Sequence, residues 1–97
     1  MRKDELKNII KILNCLKRAE SGWLWYREIS RRTKIHHKTV SRLISKYLSM
    51  FLDEQTIPPF NIRMVRLKPG TDIRGVVRFL NVKEKLNQIG VHKESYT

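Results

Sequence analysis

The chain has few of the residues that build redox centres, metal sites or membrane spans. Its one cysteine, Cys15, excludes an internal disulfide, and there is no Cys-x-x-Cys pair or Cys/His cluster to indicate a metal site. Apolar runs are only a few residues long, far short of the roughly 20 that a transmembrane helix needs, and no signal-peptide pattern is present. No Gly-rich phosphate loop, Ser/His/Asp set or carboxylate pair is recognisable. We therefore predict no enzyme, no cofactor, no metal, no membrane contact and no small-molecule ligand.

Acidic residues are also scarce. Only 9 Asp and Glu stand against 21 Lys and Arg in 97 residues, which gives a formal net charge of +12. Residues 29–52 contain six cations and no acid, a block that predicts binding to a polyanion, with a merely solvated basic surface as the alternative. Hydrophobic residues make up 40% of the chain, enough for one modest core. We expect one domain over residues 1–90 and a flexible tail over 91–97.

The first third of the chain predicts two helices and a short strand. Residues 4–19 predict an amphipathic helix, which is followed by an aromatic segment, Trp23-Leu24-Trp25, that suits a strand. Residues 26–33 predict a two-turn helix that ends close to the start of the next one. The apolar stripe of the first helix consists of Leu6, Ile9, Leu13 and Leu16, with Ile10 and Ile12 on its shoulders.

Residues 37–52 predict a third helix with two chemically distinct faces. The apolar face contains Val40, Leu43, Ile44, Tyr47, Met50 and Phe51, with Leu48 and Leu52 toward its edge. The opposite face carries Lys38, Arg42 and Lys46 beside Ser41, Ser45 and Ser49. Serines at every fourth position let a helix backbone approach another surface closely, and Arg can bind guanine O6 and N7 with two hydrogen bonds. These features favour a helix that lies in the major groove of DNA.

The second half of the chain predicts a β-hairpin followed by a short helix. Residues 62–68 and 73–80 are rich in β-forming residues, and Pro69-Gly70-Thr71-Asp72 between them is typical of a type II turn. Arg74 and Arg78 would share one face of the second strand. Asn81 and Glu84 have the spacing of a capping box and predict a helix over residues 82–89.

The order helix, short strand, helix, tight turn, helix and basic hairpin resembles the winged helix-turn-helix DNA-binding domain of bacterial and archaeal regulators. The resemblance covers about residues 4–80, and its densest part is 26–44, where Thr39-Val40-Ser41-Arg42 is similar to a stretch common in the family's recognition helix. It implies an α+β fold with a three-helix core, a two- to three-stranded wing and a short C-terminal helix. The sequence departs from the family at Lys34, where the turn usually has Gly, and at His36, where Ser usually caps the recognition helix.

Charge and resemblance together predict a sequence-specific protein that binds double-stranded DNA and regulates transcription. Helix 37–52 would lie in the major groove, and wing 62–80 would lie on the adjacent backbone or minor groove. The residues expected to contact base edges are His37, Lys38, Ser41, Arg42 and Ser45. Those expected to contact phosphates are Arg31, Arg32, Thr39, Lys46, Lys68, Arg74 and Arg78.

Two other functions remain open at this stage. One is a non-specific architectural or replication-associated DNA-binding protein, and the other is an adaptor of the same fold that binds a protein or RNA. We also expect a homodimer, because Ile10 and Ile12 widen the apolar stripe of the first helix and helix 82–89 is too short to stand alone. The expected location is the cytoplasm, in association with the nucleoid.

Overall fold

A computed structural model describes residues 2–19 and 22–94 of the chain, with side chains as far as Lys83. It has an α+β fold in which four helical segments pack around one three-stranded antiparallel sheet of order β1-β3-β2. The elements are α1 (Lys3–Arg18), β1 (Leu24–Trp25), α2 (Tyr26–Thr33), α3 (His37–Leu43), β2 (Leu52–Ile57), β3 (Ile62–Leu67) and α4 (Ile73–Glu94). A π-helical turn (Ile44–Leu48) and a 3₁₀ turn (Ser49–Phe51) continue α3 to the start of β2.

The N-terminal helix α1 forms where the apolar spacing predicts it. Acidic residues occupy its first turn and basic residues its last turn, so both ends complement the helix dipole. The fully buried residues include both Ile9 and Ile12. The prediction that Ile12 widens an exposed stripe is therefore wrong, because this side chain belongs to the core, whereas Ile10 is half-buried.

The core lies between the helices and one face of the sheet. Ile29 of α2, Val40 and Leu43 of α3, and Leu48 of the π-helical turn are all completely buried. Leu24 of β1 pairs with Val65 of β3, and both side chains face this core. Among the described residues, no helix is both long enough and apolar enough to cross a membrane.

The hairpin of the fold is formed by β2 and β3, joined through residues 58–61. The register runs without interruption from Leu52 opposite Leu67 to Ile57 opposite Ile62. The predicted hairpin over residues 62–80 is wrong in its second strand. Only the first half, 62–67, is a strand, and its partner is the segment that precedes it in the chain.

Residues 73–80, predicted to be a strand, are instead the first turns of α4. Asp72 caps this helix, since its Oδ1 accepts a hydrogen bond from the Arg74 N–H at 3.4 Å and its carbonyl oxygen accepts one from the Val76 N–H at 3.0 Å. The helix buries Val76 and Leu80, four residues apart, in the core beside α1. Helical spacing, and not the β-forming composition, therefore decides the conformation of this segment.

The short C-terminal helix predicted over residues 82–89 is likewise part of α4. Asn81, predicted to be its N-cap, lies inside the longer helix. The backbone of α4 continues to Glu94, four residues into the segment predicted to be a tail, and residues 95–97 lie outside the described part of the chain.

Candidate nucleic-acid interface

Helices α2 and α3 are joined by a tight turn with a left-handed residue at its centre. Lys34 adopts φ 65° and ψ 19°, and its N–H donates to the Ser30 carbonyl oxygen at 2.9 Å. The Ser30 hydroxyl donates to the carbonyl oxygen of Ile35, whose side chain is buried. The turn thus has a left-handed conformation that favours Gly, although Lys34 occupies the position.

The N-terminus of α3 is capped by a histidine. His36 Nδ1 accepts a hydrogen bond from the Lys38 N–H at 3.2 Å, so the imidazole takes the capping role of the usual Ser. The rings of His36 and His37 are stacked with centroids 4.5 Å apart, and both residues are exposed. No group of three His, Cys, Asp or Glu suited to a metal ion occurs in the part of the chain that the structure describes.

The outward face of α3 and of the π-helical turn after it presents most of the residues predicted to read bases. His37, Lys38, Arg42 and Ser45 are exposed, whereas Ser41 is half-buried. Of the predicted phosphate ligands nearby, Thr39 is half-buried and Lys46 is exposed, with its ammonium 5.1 Å from the centroid of the Tyr47 ring. The geometry therefore brings these seven residues onto one helical segment.

The π-helical turn changes the periodicity of this segment. A π-helix pairs residues five apart, so its turn contains more residues than an α-helical turn and the faces shift with respect to what precedes them. Leu48, predicted at the edge of the apolar face, is completely buried, whereas Met50, predicted within that face, is 52% exposed. The ridge of Ser41, Ser45 and Ser49 therefore does not continue in α-helical register to its end.

Arg42, the residue most expected to read a base, is bound to an acid from another helix. Its Nη1 lies 2.8 Å from Oε2 of Glu5 in the first turn of α1. The hydrogen bond from Arg42 holds the pKa of the Glu5 carboxyl below its usual value, so this acid is ionised at neutral pH. The Arg42 side chain remains 53% exposed although it is paired with Glu5.

Two further cations, on α2, share a single acid. Arg31 forms a double hydrogen bond with Glu28, and the Arg32 Nε lies 3.8 Å from the same carboxylate. The hydrogen bond with Arg31 lowers the pKa of Glu28 and raises that of Arg31. By contrast, Lys34 and Lys38 form no ion pair with any described residue. These two lysines are therefore the cations of the turn region most available to a ligand.

The hairpin differs in charge from the basic wing that the sequence predicts. Arg63 pairs with Glu54, and Arg66 pairs with Asp53 at 3.2 Å, so its four charges cancel across the two strands. The Tyr26 hydroxyl donates to Glu54 as well, and burial is the main cause that raises the Tyr26 pKa. Lys68 is exposed directly after β3.

Arg74 and Arg78 are not on the hairpin. Both are exposed on α4, beside a groove of about 610 Å³ that also contains Ile10 of α1 and Val77 and Val82 of α4. The prediction that these arginines belong to the wing is wrong, because the segment that carries them is a helix packed on α1.

The acids that pair with these cations belong to the candidate site, and sequence reasoning did not include them. The spacing of Glu28 to Arg31 and Arg32, three and four residues within one helix, is a signal that could have identified their pairing. Glu5 and Arg42 are 37 positions apart, so only the packing of α1 against α3 brings them together.

No protein-family model matches the chain, and no curated protein matches its sequence. Its structure is similar to a solved structure named as a possible transcriptional regulator from Methanosarcina mazei Go1, with a TM-score of 0.59 and 14% sequence identity. The similarity covers 99% of this chain and 79% of that one. At this level of identity the comparison shows a shared fold.

Proposed function

We propose that the chain is a winged-helix protein that binds double-stranded DNA and regulates transcription. The observation that carries the proposal is the α2–turn–α3 unit, whose outward face combines exposed cations and small hydroxyls with no acid over residues 29–52. The similar fold of a possible transcriptional regulator supports it. A protein with this activity would act in the cytoplasm, in association with the nucleoid.

In this proposal α3 lies in the major groove. Lys38, at the start of the helix and without an ion pair among the described residues, and Arg42, one turn later, are the principal base-reading side chains, as expected of a recognition helix whose N-terminal residues reach base edges. His37, Ser41 and Ser45 complete the base contacts. The phosphates that flank the groove are assigned to Arg31, Arg32, Thr39, Lys46 and Lys68.

The test is selection of bound sequences from a random duplex library, followed by anisotropy titrations of the selected and a scrambled duplex across a range of salt. A consensus sequence and a preference of at least about 1,000-fold over scrambled DNA are expected of a regulator. Lys38→Ala should weaken binding to the selected duplex, and Lys17→Ala, a matched exposed cation on α1, serves as the control.

The other outcomes identify the alternatives. Tight binding of all sequences with a steep salt dependence would indicate an architectural protein. Two features of the structure favour this outcome. Arg42 is already paired with Glu5, and the π-helical turn interrupts the α-helical spacing of Ser41, Ser45 and Ser49. Absence of duplex binding would refute the proposal and favour an adaptor for protein or RNA.

We also propose that two copies associate through the groove between α1 and α4. Val82 is 49% exposed beside the half-buried Ile10 and Val77, which leaves an apolar surface at this groove. A twofold dimer would set two recognition helices about 34 to 36 Å apart and would require a palindromic site. Sedimentation equilibrium checks the association, and an 11.6 kDa species at all concentrations would refute it.

A further inference from the structure

The loop between β2 and β3 carries the most exposed large hydrophobic side chain among the described residues. Phe60 is 82% exposed, and Ile57 beside it is 39% exposed. We call residues 57–61, with the sequence Ile-Pro-Pro-Phe-Asn, the hairpin tip. No charged residue occurs between Glu54 and Arg63, so the tip is an uncharged and largely apolar point on a chain with a net charge of +12.

The hairpin holds this tip away from the core. Its two strands pair along their full six residues, and Leu52 and Val65 anchor the near end in the core. At a rise of about 3.3 Å per residue, Ile57 at the far end lies about 17 Å from Leu52 at the anchored end. Pro58 and Pro59 restrict the backbone at the tip because their φ angles are fixed by the ring. Phe60 is therefore presented on a stiff support, and packing within the chain does not account for its position.

The charges on the rest of the hairpin do not suit phosphate binding. Glu54 pairs with Arg63 and Asp53 with Arg66, so each guanidinium already has a carboxylate partner. A hairpin that bound DNA through its backbone would present a net positive charge to the phosphates, as Arg31 and Arg32 do because they share the one acid Glu28. The chemistry left available on this element is aromatic and aliphatic, and it is located at the tip.

We propose that the hairpin tip inserts Phe60 between two base pairs from the minor groove of the duplex that α3 binds, and thereby bends that duplex. This inference rests on the proposed function. Phe, Ile and Pro are among the side chains that enter base steps as apolar wedges, and a base step is the apolar surface that a DNA duplex offers. The hairpin begins at Leu52, directly after the helical segment 37–51, so the element that follows the proposed recognition helix in the chain carries the wedge.

A wedge at this place makes binding depend on how readily the base step that it enters unstacks. Pyrimidine–purine steps such as TA and CA unstack most readily, so the bound site should contain such a step to one side of the bases that α3 contacts. The preference at this step comes from the deformability of the DNA and requires no hydrogen bond to a base.

The experiment uses the full chain and a duplex selected by it, with 2-aminopurine placed at one flanking position at a time. Binding is followed by anisotropy, unstacking by 2-aminopurine fluorescence, and bending by energy transfer between dyes on the duplex ends. Wild-type protein should raise the fluorescence several-fold at one step only. Phe60→Ala should abolish that rise, reduce the bend and weaken binding about tenfold or more, with the salt slope unchanged.

Two further variants complete the design. Phe60→Leu should retain part of the fluorescence rise, because a smaller apolar side chain still enters the step. Phe79→Ala, which removes a 43% exposed aromatic side chain from α4, should behave like wild type. Circular dichroism of Phe60→Ala should match wild type, since the side chain lies outside the core.

The outcomes separate this inference from the proposed function. If wild-type protein binds the duplex without any rise in 2-aminopurine fluorescence, the wedge is wrong and the DNA-binding proposal stands. If Phe60→Ala binds and bends DNA as wild type does, the tip serves a different partner, such as an apolar pocket of a protein, and the wedge is again wrong. If no duplex binds, both proposals fail together.

Discussion

The guanidinium of Arg42 and the carboxylate of Glu5 are joined at 2.8 Å and connect the first turn of α1 to α3. Lys46 also acts on this carboxylate and contributes, after Arg42, to the low pKa of Glu5. The acid therefore lies close to two cations of the proposed DNA contact, Arg42 of α3 and Lys46 of the π-helical turn. A duplex that approaches this face competes with Glu5 for both of them.

We expect Glu5→Gln to strengthen DNA binding several-fold at low salt. The substitution removes a negative charge that repels phosphates and releases the Arg42 side chain for the duplex. Asp4→Asn, which neutralises the neighbouring exposed acid in the same turn, is the matched control for net charge. Equal effects of the two substitutions in anisotropy titrations would mean that only net charge matters and that the pairing with Arg42 does not restrain binding.

The same pair predicts a pH dependence of stability. Because the folded chain lowers the pKa of Glu5 below its ordinary value of 4.5, the pair stabilises the fold above that pH, and this contribution disappears as pH falls through the lowered pKa. Glu5→Gln should cost about 0.2 to 1 kcal/mol near pH 7, the range of an exposed ion pair, and less at about pH 2. Urea denaturation at both pH values measures the difference. If the full loss of stability persists at the low pH, it arises from changed packing and not from the lost charge.

Removal of cations should change the salt dependence of binding according to their position. Lys38→Ala combined with Lys46→Ala should lower the slope of log affinity against log salt by nearly 2 if each lysine neutralises one phosphate. Arg74→Ala combined with Arg78→Ala should change it less, because these residues lie on α4 beside α1 and not on the hairpin. Equal changes in slope would place α4 in the interface.

Lys34→Gly should stabilise the fold. A left-handed conformation costs a residue with a side chain about 1 to 2 kcal/mol, and the greater entropy of unfolded Gly returns part of this, so a net gain of about 0.5 to 1 kcal/mol is expected. Thermal and urea unfolding measure the gain. Lys34→Ala separates the backbone effect from the loss of charge, because Ala removes the ammonium and retains the steric cost. If Ala stabilises as much as Gly, repulsion among cations and not backbone conformation is responsible.

Gly75→Ala should also stabilise the fold, because residues 73–80 form a helix. Gly in a helix costs about 0.5 to 1 kcal/mol relative to Ala, and a Cβ at this position would meet only Asp72 atoms at ordinary contact distances of 3.8 and 3.9 Å. A higher midpoint in urea with no loss of helical circular dichroism is the expected result. A loss of stability would contradict the helical assignment of this segment.

Cys15 should react slowly with a thiol reagent at neutral pH. The side chain is half-buried beside Arg18 and Arg32, and burial raises its pKa more than these arginines lower it. A smaller fraction is therefore the reactive thiolate than in an exposed cysteine, and the rate should rise with pH into the alkaline range. Stopped-flow measurements with Ellman's reagent across pH test this. Arg32→Ala should displace the profile further to high pH, and an unperturbed profile would show that the thiol is more open to solvent.

Properties that depend on residues close together in the chain could be predicted from the sequence. The excess and location of positive charge, the helices α1 and α2, the short strand at Leu24–Trp25 and the turn at Lys34 all follow from patterns a few residues long. Most of the residues on the outward face of α3 were predictable for the same reason. Helical periodicity by itself places Lys38 and Arg42 opposite Val40 and Leu43.

Tertiary structure decided which segment pairs with β3 and which cations are already paired. Residues 52–57 contain polar residues suited to a loop, and they form a strand because residues 62–67 offer a complementary edge. Residues 73–80 contain β-forming side chains, and they form a helix because Val76 and Leu80 are buried beside α1 in that conformation. The pairing of Glu5 with Arg42 joins positions 37 residues apart. Each of these results depends on contacts between elements that are distant in the chain. The free energy of such contacts cannot be inferred from a sequence pattern a few residues long.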